Sequence, residues 1–358
     1  MSAAPLRSTA RDIAAILWQV WRDRVHVDLE PSLISDLVSL LLGSGVAPLV
    51  SRHGEEMNVR TRPFRALRDA ARLSLLHAVA RTARVEQVVS AFRAAGIEPL
   101  LGKGWAVATR FYSDPALRPS SDIDLYVSPA DFESASELVS RRVTELAAVD
   151  LHLGCEELRD REWTSVIERR IELSANETPV STFCDEHHLR LLTLHFVKHG
   201  GFRSLWLCDI AALVELCRPT LDWDEVLRGQ RWRSRWVIGV VALARDLLGA
   251  DVSGTPAEHV RVPSWVTEAV LHEWETPFRW PDGRPRADKS MFSRGFRHAA
   301  RELRARWPSP VEASFNFGGP LNDFPRVPYE LLQLGRQCFG VLMHSLADRR
   351  TREAGKDA

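Results

Sequence analysis

Cysteine is scarce in this 358-residue chain, and no sign of charge is in surplus. The five cysteines (Cys155, Cys184, Cys208, Cys217, Cys338) are scattered, odd in number and without a C-x-x-C pair. That argues against a disulfide framework or a cysteine zinc site and for free thiols in a reducing compartment. The 47 basic residues are matched by 47 acidic ones, a balance that argues against a dedicated nucleic-acid binder, which normally carries a basic excess. There is no long apolar run. The opening stretch MSAAPLRSTARDIAAILWQVW is broken by Arg7, Arg11 and Asp12, and shows neither a signal-peptide pattern nor a bilayer-spanning segment. A cytoplasmic protein is expected. Repeats, low-complexity tracts and an H-E-x-x-H zinc motif are also missing.

What remains is an ordinary globular composition, 45% hydrophobic and 26% charged, long enough for two or three subdomains. Residues 9–95 read as helical. Ile13, Ile16, Leu17 and Val20 recur at helical spacing, as do Leu33, Leu37, Val38 and Leu41. Gly45 to Gly54 reads as a short apolar piece between loops. A long amphipathic pattern then runs from Pro63 to Ala95, with Arg65, Arg68, Arg72, Arg81 and Arg84 on a solvated face; a nucleic-acid groove is the sharper alternative.

The most informative stretch is GIEPLLGKGWAVATRFYSDPALRPSSDIDLYV, Gly96 to Val127. A short apolar strand breaks into the turn Gly102-Lys103-Gly104, a helical segment follows from Trp105 to Tyr112, and a loop leads through Arg118 into the strand Asp122 to Val127. Residues two apart on a strand share a face, so Asp122 and Asp124 project together while Ile123 and Leu125 face a core. Two carboxylates that close repel unless a cation sits between them. Oxygen ligands without cysteine or histidine favour Mg²⁺, which pairs one or two carboxylates with substrate phosphates. Glycines before a helix start let backbone amides approach phosphate, and Lys103 adds a point charge.

L-x-K-G, Tyr112, Pro115, Arg118 and D-I-D-L-x-V together resemble a largely uncharacterised bacterial nucleotidyltransferase family of the DNA polymerase β-like superfamily. That superfamily shares a G-[G/S] turn, a D-x-[D/E] pair and a third carboxylate on a neighbouring strand. Here Gly102 stands where the family has an aliphatic residue. Val149, Leu151 and Leu153 alternate with Asp150 and His152, a half-buried strand. Its D-L-H resembles the family's D-L-H-W or E-L-H-W strand, with Leu153 in place of Trp and a shortened interval before it. The resemblance implies that Asp150 is the third carboxylate; a solvent-facing Asp on an edge strand is the alternative. His152 reads as a hydrogen-bonded structural residue.

Beyond Cys155 the chain reads as helical, with Asn176 to Pro179 as a loop. LLTLHFVKHGGFRSLWLCDIAALVE again resembles the family, a histidine-bearing helix, a glycine break, then W-x-x-D-I. His195 and His199 lie one turn apart, but with no glutamate base or third ligand, packing or a substrate pocket is preferred to metal. Lys198, Arg203 and Asp209 face the cleft or pair across Gly200-Gly201. The turn at Pro281, a loop from Ser314 to Pro328 and a terminal helix from Tyr329 to Ala347 complete the chain.

The expected fold is α+β: a small mixed-sheet nucleotidyltransferase core at residues 91–155, between an N-terminal helical region (1–90) and a C-terminal helical domain (156–350). The activity implied is metal-dependent transfer of an NMP group from an NTP to a small-molecule or protein acceptor hydroxyl. Two Mg²⁺ ions would sit on Asp122, Asp124 and Asp150, and the phosphates on Gly102, Lys103 and Gly104. Arg118 either reaches the triphosphate or holds the Asp strand by an ion pair. Two other classes stay open: a catalytically impaired nucleotide-binding protein in regulation or assembly, and a toxin-like enzyme modifying a protein or tRNA.

Overall fold

The computed structural model describes residues 9–22, 31–56, 61–275 and 307–337. Four helices precede the first strand: α1 (Thr9–Val20), α2 (Pro31–Gly43), α3 (Ala47–Glu56) and the 33-residue α4 (Arg62–Ala94). Helix α3 occupies the stretch expected to lie between loops; its apolar Leu49 and Val50 are buried and hold it against the other helices.

The sheet has five strands in the order β3-β2-β1-β5-β4. Strand β1 (Leu100–Gly102) leads into α5 (Gly104–Phe111), and β2 (Ile123–Val127) into α6 (Phe132–Arg141) and α7 (Val143–Leu146). Strand β3 (Val149–Leu153) is followed by α8 (Trp163–Glu168), and the hairpin β4 (Ile171–Ala175) and β5 (Thr178–Thr182) closes the sheet. β2 runs antiparallel to β1 and parallel to β3, and β5 pairs parallel with β1. The sheet therefore does not end near residue 155. Two strands come from a segment expected to be helix and loop, because Asn176, at φ 53°, makes the left-handed turn that a two-residue hairpin needs.

Period-two alternation sorts the strands between two cores. Leu101, Ile123, Leu125, Val127 and Val180 pack against Val85, Val88, Val89 and Phe92 of α4. Leu100, Tyr126 and Phe183 face the opposite way, into the larger core. That core is built mainly by α9 (Asp185–Lys198), α10 (Ser204–Cys217), α11 (Trp223–Leu227), α12 (Arg231–Leu248), α13 (Ser264–Glu275) and α14 (Pro310–Asn316), with residues 327–337 helical at the end. The start of the loop expected from Ser314 is thus the last turn of α14, while the Pro281 turn and the end of the terminal helix lie outside the described residues. No helix among the described residues is long and apolar enough to cross a membrane.

The arginines of α4 divide. Arg65 and Arg72 are exposed as expected. Arg81 instead donates to the backbone carbonyls of Ser120 and Asp122, Arg84 to that of Glu145 and Arg93 to that of Pro179. The C-terminal half of α4 is thus a row of clamps on the loop before β2, on α7 and on β5, its guanidinium stems reaching past the apolar stripe to backbone carbonyls.

Candidate functional site

The larger core meets the sheet at Asp124. This residue shares its strand face with Tyr126, and 94% of its surface is buried, since only 6% remains exposed. Across the parallel pair β2–β3 its Cα partner is Asp150, and that of Tyr126 is His152. Asp150 and His152 thus come to the same face as Asp124, despite the shortened interval before β3. Asp124, Asp150 and His152 offer one ligand atom each within 4.8 Å of one another, the one such group of three among the described residues.

Two cations hold these carboxylates. Lys103 Nζ lies 2.6 Å from Asp124 Oδ1, and His152 Nε2 lies 3.1 Å from Asp124 Oδ1 and 3.2 Å from Asp150 Oδ2. Burial disfavours charge on the imidazole, but the bonds to Asp124 and Asp150 outweigh it and carry His152 up to about 9. Burial likewise opposes the charges of Asp124 and Lys103. The hydrogen bond from His152 and the nearby lysine still hold Asp124 below the ordinary carboxylate range, and Asp124 holds Lys103 above its own. Asp150 is lowered chiefly by His152. The premise that no histidine stands near the carboxylates fails: the donor set is two carboxylates and an imidazole. That set suits a divalent cation once His152 gives up its proton, since only the neutral imidazole can ligate.

The glycine turn works differently from its sequence reading. Gly102 is the last residue of β1, and a Cβ there would stand 2.7 Å from the Tyr126 ring and 3.0 Å from that of Phe183. Its missing side chain makes room for Tyr126, which stacks on His152 with ring centroids 4.5 Å apart. Lys103 takes the unusual backbone angles φ 47°, ψ −135°, a region that costs a non-glycine residue about 1–3 kcal/mol. Its N–H donates to His188 Nε2 at 3.2 Å, so that amide is engaged inside the protein. Helix α5 starts at Gly104 with no side-chain cap, which leaves its first amides for a solvent or ligand oxygen.

His188 is a site residue that no reading of the motifs singles out. It is buried between Phe111 and Phe183, and burial pushes it down to about 4, so its Nε2 is a neutral acceptor. Its position in an apolar helix, with no motif around it, carries no signal; only its contact across 85 residues does.

The remaining candidates separate. Asp122 lies just before β2 rather than within it, is exposed, and accepts one bond, from Ser121 Oγ at 3.3 Å. Arg81 fixes its backbone. Arg118 is buried and paired with Asp209 of α10, at 2.7 Å from Nη2 and 3.2 Å from Nε. Tyr112 donates to the same carboxylate at 2.8 Å. Arg118 therefore ties the loop before β2 to the helical domain. Lys198 pairs with Glu156 at 2.5 Å rather than across the glycine turn. His195 and His199 pack together and against Trp206, outside the three-residue group. Burial lowers both, His195 well below its ordinary value and His199 to about 4.

A strand-borne carboxylate pair beside a lysine turn defines a site of the nucleotidyl-transfer type. The family described as uncharacterised nucleotidyltransferase matches residues 30–142 and, overlapping, 138–249. These matches run through more than half of the chain, which belongs to this family. No curated protein and no solved structure matches it significantly.

Proposed function

We propose that the chain transfers an NMP group from an NTP to a hydroxyl of a small-molecule or protein acceptor, as a cytoplasmic bacterial enzyme of the DNA polymerase β-like kind. The observation that carries the reading is the register Asp124 to Asp150 across adjacent parallel strands, with the Lys103 ammonium against Asp124.

Asp124 and Asp150 are the residues that would hold Mg²⁺, and exposed Asp122, outside that group, is the further carboxylate the family resemblance implies. Bound there, the cation would supply Lewis-acid polarisation of phosphate oxygens. Lys103, already charged and close to the carboxylates, supplies a counter-charge for the phosphates. The uncapped amides at the start of α5 add neutral donors. The acceptor hydroxyl forms a bond to the α-phosphorus, the bond to the β-phosphate bridging oxygen breaks, and pyrophosphate leaves. Asp150, the more exposed of the paired carboxylates, takes the hydroxyl proton at its carboxylate oxygen. Balanced charge over the chain supports a small-molecule or protein acceptor over nucleic acid.

One observation favours nucleotide binding without turnover: Lys103 and His152 already neutralise both carboxylates. The two readings part in one assay. Purified protein is incubated with each of the four NTPs, Mg²⁺ and candidate acceptors, and pyrophosphate release is followed. Release that D124N abolishes supports transfer. Saturable NTP binding with no release under any acceptor sinks it in favour of the binding role.

A further inference from the structure

Arg203 is a cation without a partner. It precedes α10, and its guanidinium carbon lies 5.9 Å from the centre of the Trp206 ring. No oxygen among the described residues accepts a hydrogen bond from it or pairs with it. Its side chain is partly buried, and the charges that act on it are Arg118, Asp122 and Asp209. Asp209 is already taken by Arg118 and Tyr112. Asp122 reaches Arg203 only through its field, with no bond between them. The next side chain, Ser204, keeps a fully buried hydroxyl that also lacks a partner.

Arg203 is partly buried, its guanidinium nitrogens still reach solvent, and none of its N–H donors is used by another residue, so the whole fork is open to an anionic ligand. Its planar fork matches the oxygens of a phosphate two at a time. The location fits such a ligand: Arg203 lies in the field of Asp122, on a Trp206 that touches His195, and His195 in turn lies in the field of Lys103 and His152. We propose that Arg203 is a polyphosphate-binding residue of this site, taking from the helical domain the phosphates that Lys103 meets from the sheet. The proposal rests on the nucleotidyl-transfer reading and deepens it, since it moves the arginine of the phosphate site from Arg118 to Arg203.

The test is titration calorimetry of the full chain with sodium tripolyphosphate, with each of the four NTPs in Mg²⁺, and with the matching nucleosides. Wild type is compared with R203A, R203K and R141A, the last a surface control on α6. R203A is expected to weaken tripolyphosphate and NTP binding about tenfold or more, R203K to recover part of it, and R141A to change nothing. Without ligand, R203A should melt close to wild type, because it removes no hydrogen bond or ion pair within the protein. Four results would overturn the assignment: unchanged tripolyphosphate binding by R203A, an R203A effect on nucleoside binding equal to that on NTP binding, a clear fall in its ligand-free melting temperature, or failure of R203A to fold. If wild type binds no NTP, the nucleotidyl-transfer reading falls as well; if wild type and R203A bind NTPs alike, only Arg203 is reassigned.

Discussion

Replacing His188 with phenylalanine keeps a planar ring between Phe111 and Phe183 and removes the acceptor for the Lys103 N–H. A buried donor left unsatisfied costs about 1–3 kcal/mol. Lys103 is also held at φ 47°, so without that bond the turn can relax and its ammonium can leave Asp124. At neutral pH the H188F variant should lose about 1–3 kcal/mol in urea unfolding, together with much of its NTP binding. The pH dependence gives the sharper reading. The His188 ring has its ordinary value of 6.5 in the unfolded chain and about 4 in the fold. Between those values the unfolded chain binds one proton more, so stability falls as pH drops from 6.5 towards 4 and is complete above 6.5. The loss approaches about 3 kcal/mol, because each pKa unit is worth about 1.4 kcal/mol. Asp185 opposes the shift, while Arg118 and Arg110 support it. Other histidines lowered by burial, half-buried His199 among them, add acid sensitivity of their own to both proteins, which cancels in the difference. Urea melts at constant ionic strength from pH 7 to 4.5 should show the gap between wild type and H188F shrinking as pH falls. A gap that does not vary with pH, or an H188F protein as stable and as tight for NTP as wild type, refutes the role of His188 in holding the turn.

The carboxylates should separate by stability as well as by activity. D124A strips buried Asp124 from half-buried Lys103 and from His152 and should cost about 3–5 kcal/mol in urea unfolding, whereas exposed D122A should stay within about 0.5 kcal/mol. Equal destabilisation by the two would remove the distinction drawn between them. R118A leaves Asp209 buried and unpaired and should lose about 3–5 kcal/mol with or without nucleotide. The double variant R118M/D209L should regain most of that in the same measurement, and failure to do so would show that Arg118 acts through another partner. G102A drives a methyl into the Tyr126 ring and should cost about 1–3 kcal/mol, read as a lowered thermal midpoint; an unchanged midpoint would mean that the stack of Tyr126 on His152 is not tight.

Much of this site was legible because alternation on a strand is a local property. The pattern Ile123, Leu125, Val127 against Asp124, Tyr126 puts the carboxylate on the right face from sequence alone, and Val149, Leu151, Leu153 does the same for Asp150 and His152. The β4–β5 hairpin carried the same kind of signal, Ile171, Leu173 and Ala175 alternating with Glu172 and Ser174 before a left-handed Asn176. Heavy charge just upstream disguised it as helix and loop. Helix α3 was missed because its ten residues, with Gly54 inside them, offer too few turns for a helical period to show. Partners were the illegible part. Arg118 and Asp209 are 91 residues apart, and Gly102 owes its identity to a ring 24 positions away as much as to its own turn.

Those long-range partners decide what each cation near the carboxylates can do for an anionic substrate. Arg118 is committed: Asp209 takes its Nε and Nη2, and only 6% of the residue is exposed. Lys103 is partly committed, since its ammonium rests on Asp124 but has two further hydrogens and a stem that can swing. Arg203 is uncommitted, its guanidinium carbon 5.9 Å from the centre of the Trp206 ring and its donors unused. An incoming phosphate must displace an existing bond at the first, compete with one at the second, and displace no protein bond at the third. On the sequence alone Arg118 is open to the triphosphate or to an ion pair, because it stands between the two motifs on the chain. Its bonds to Asp209 favour the ion pair and leave Arg203 the freer cation, whatever the nucleotide or acceptor.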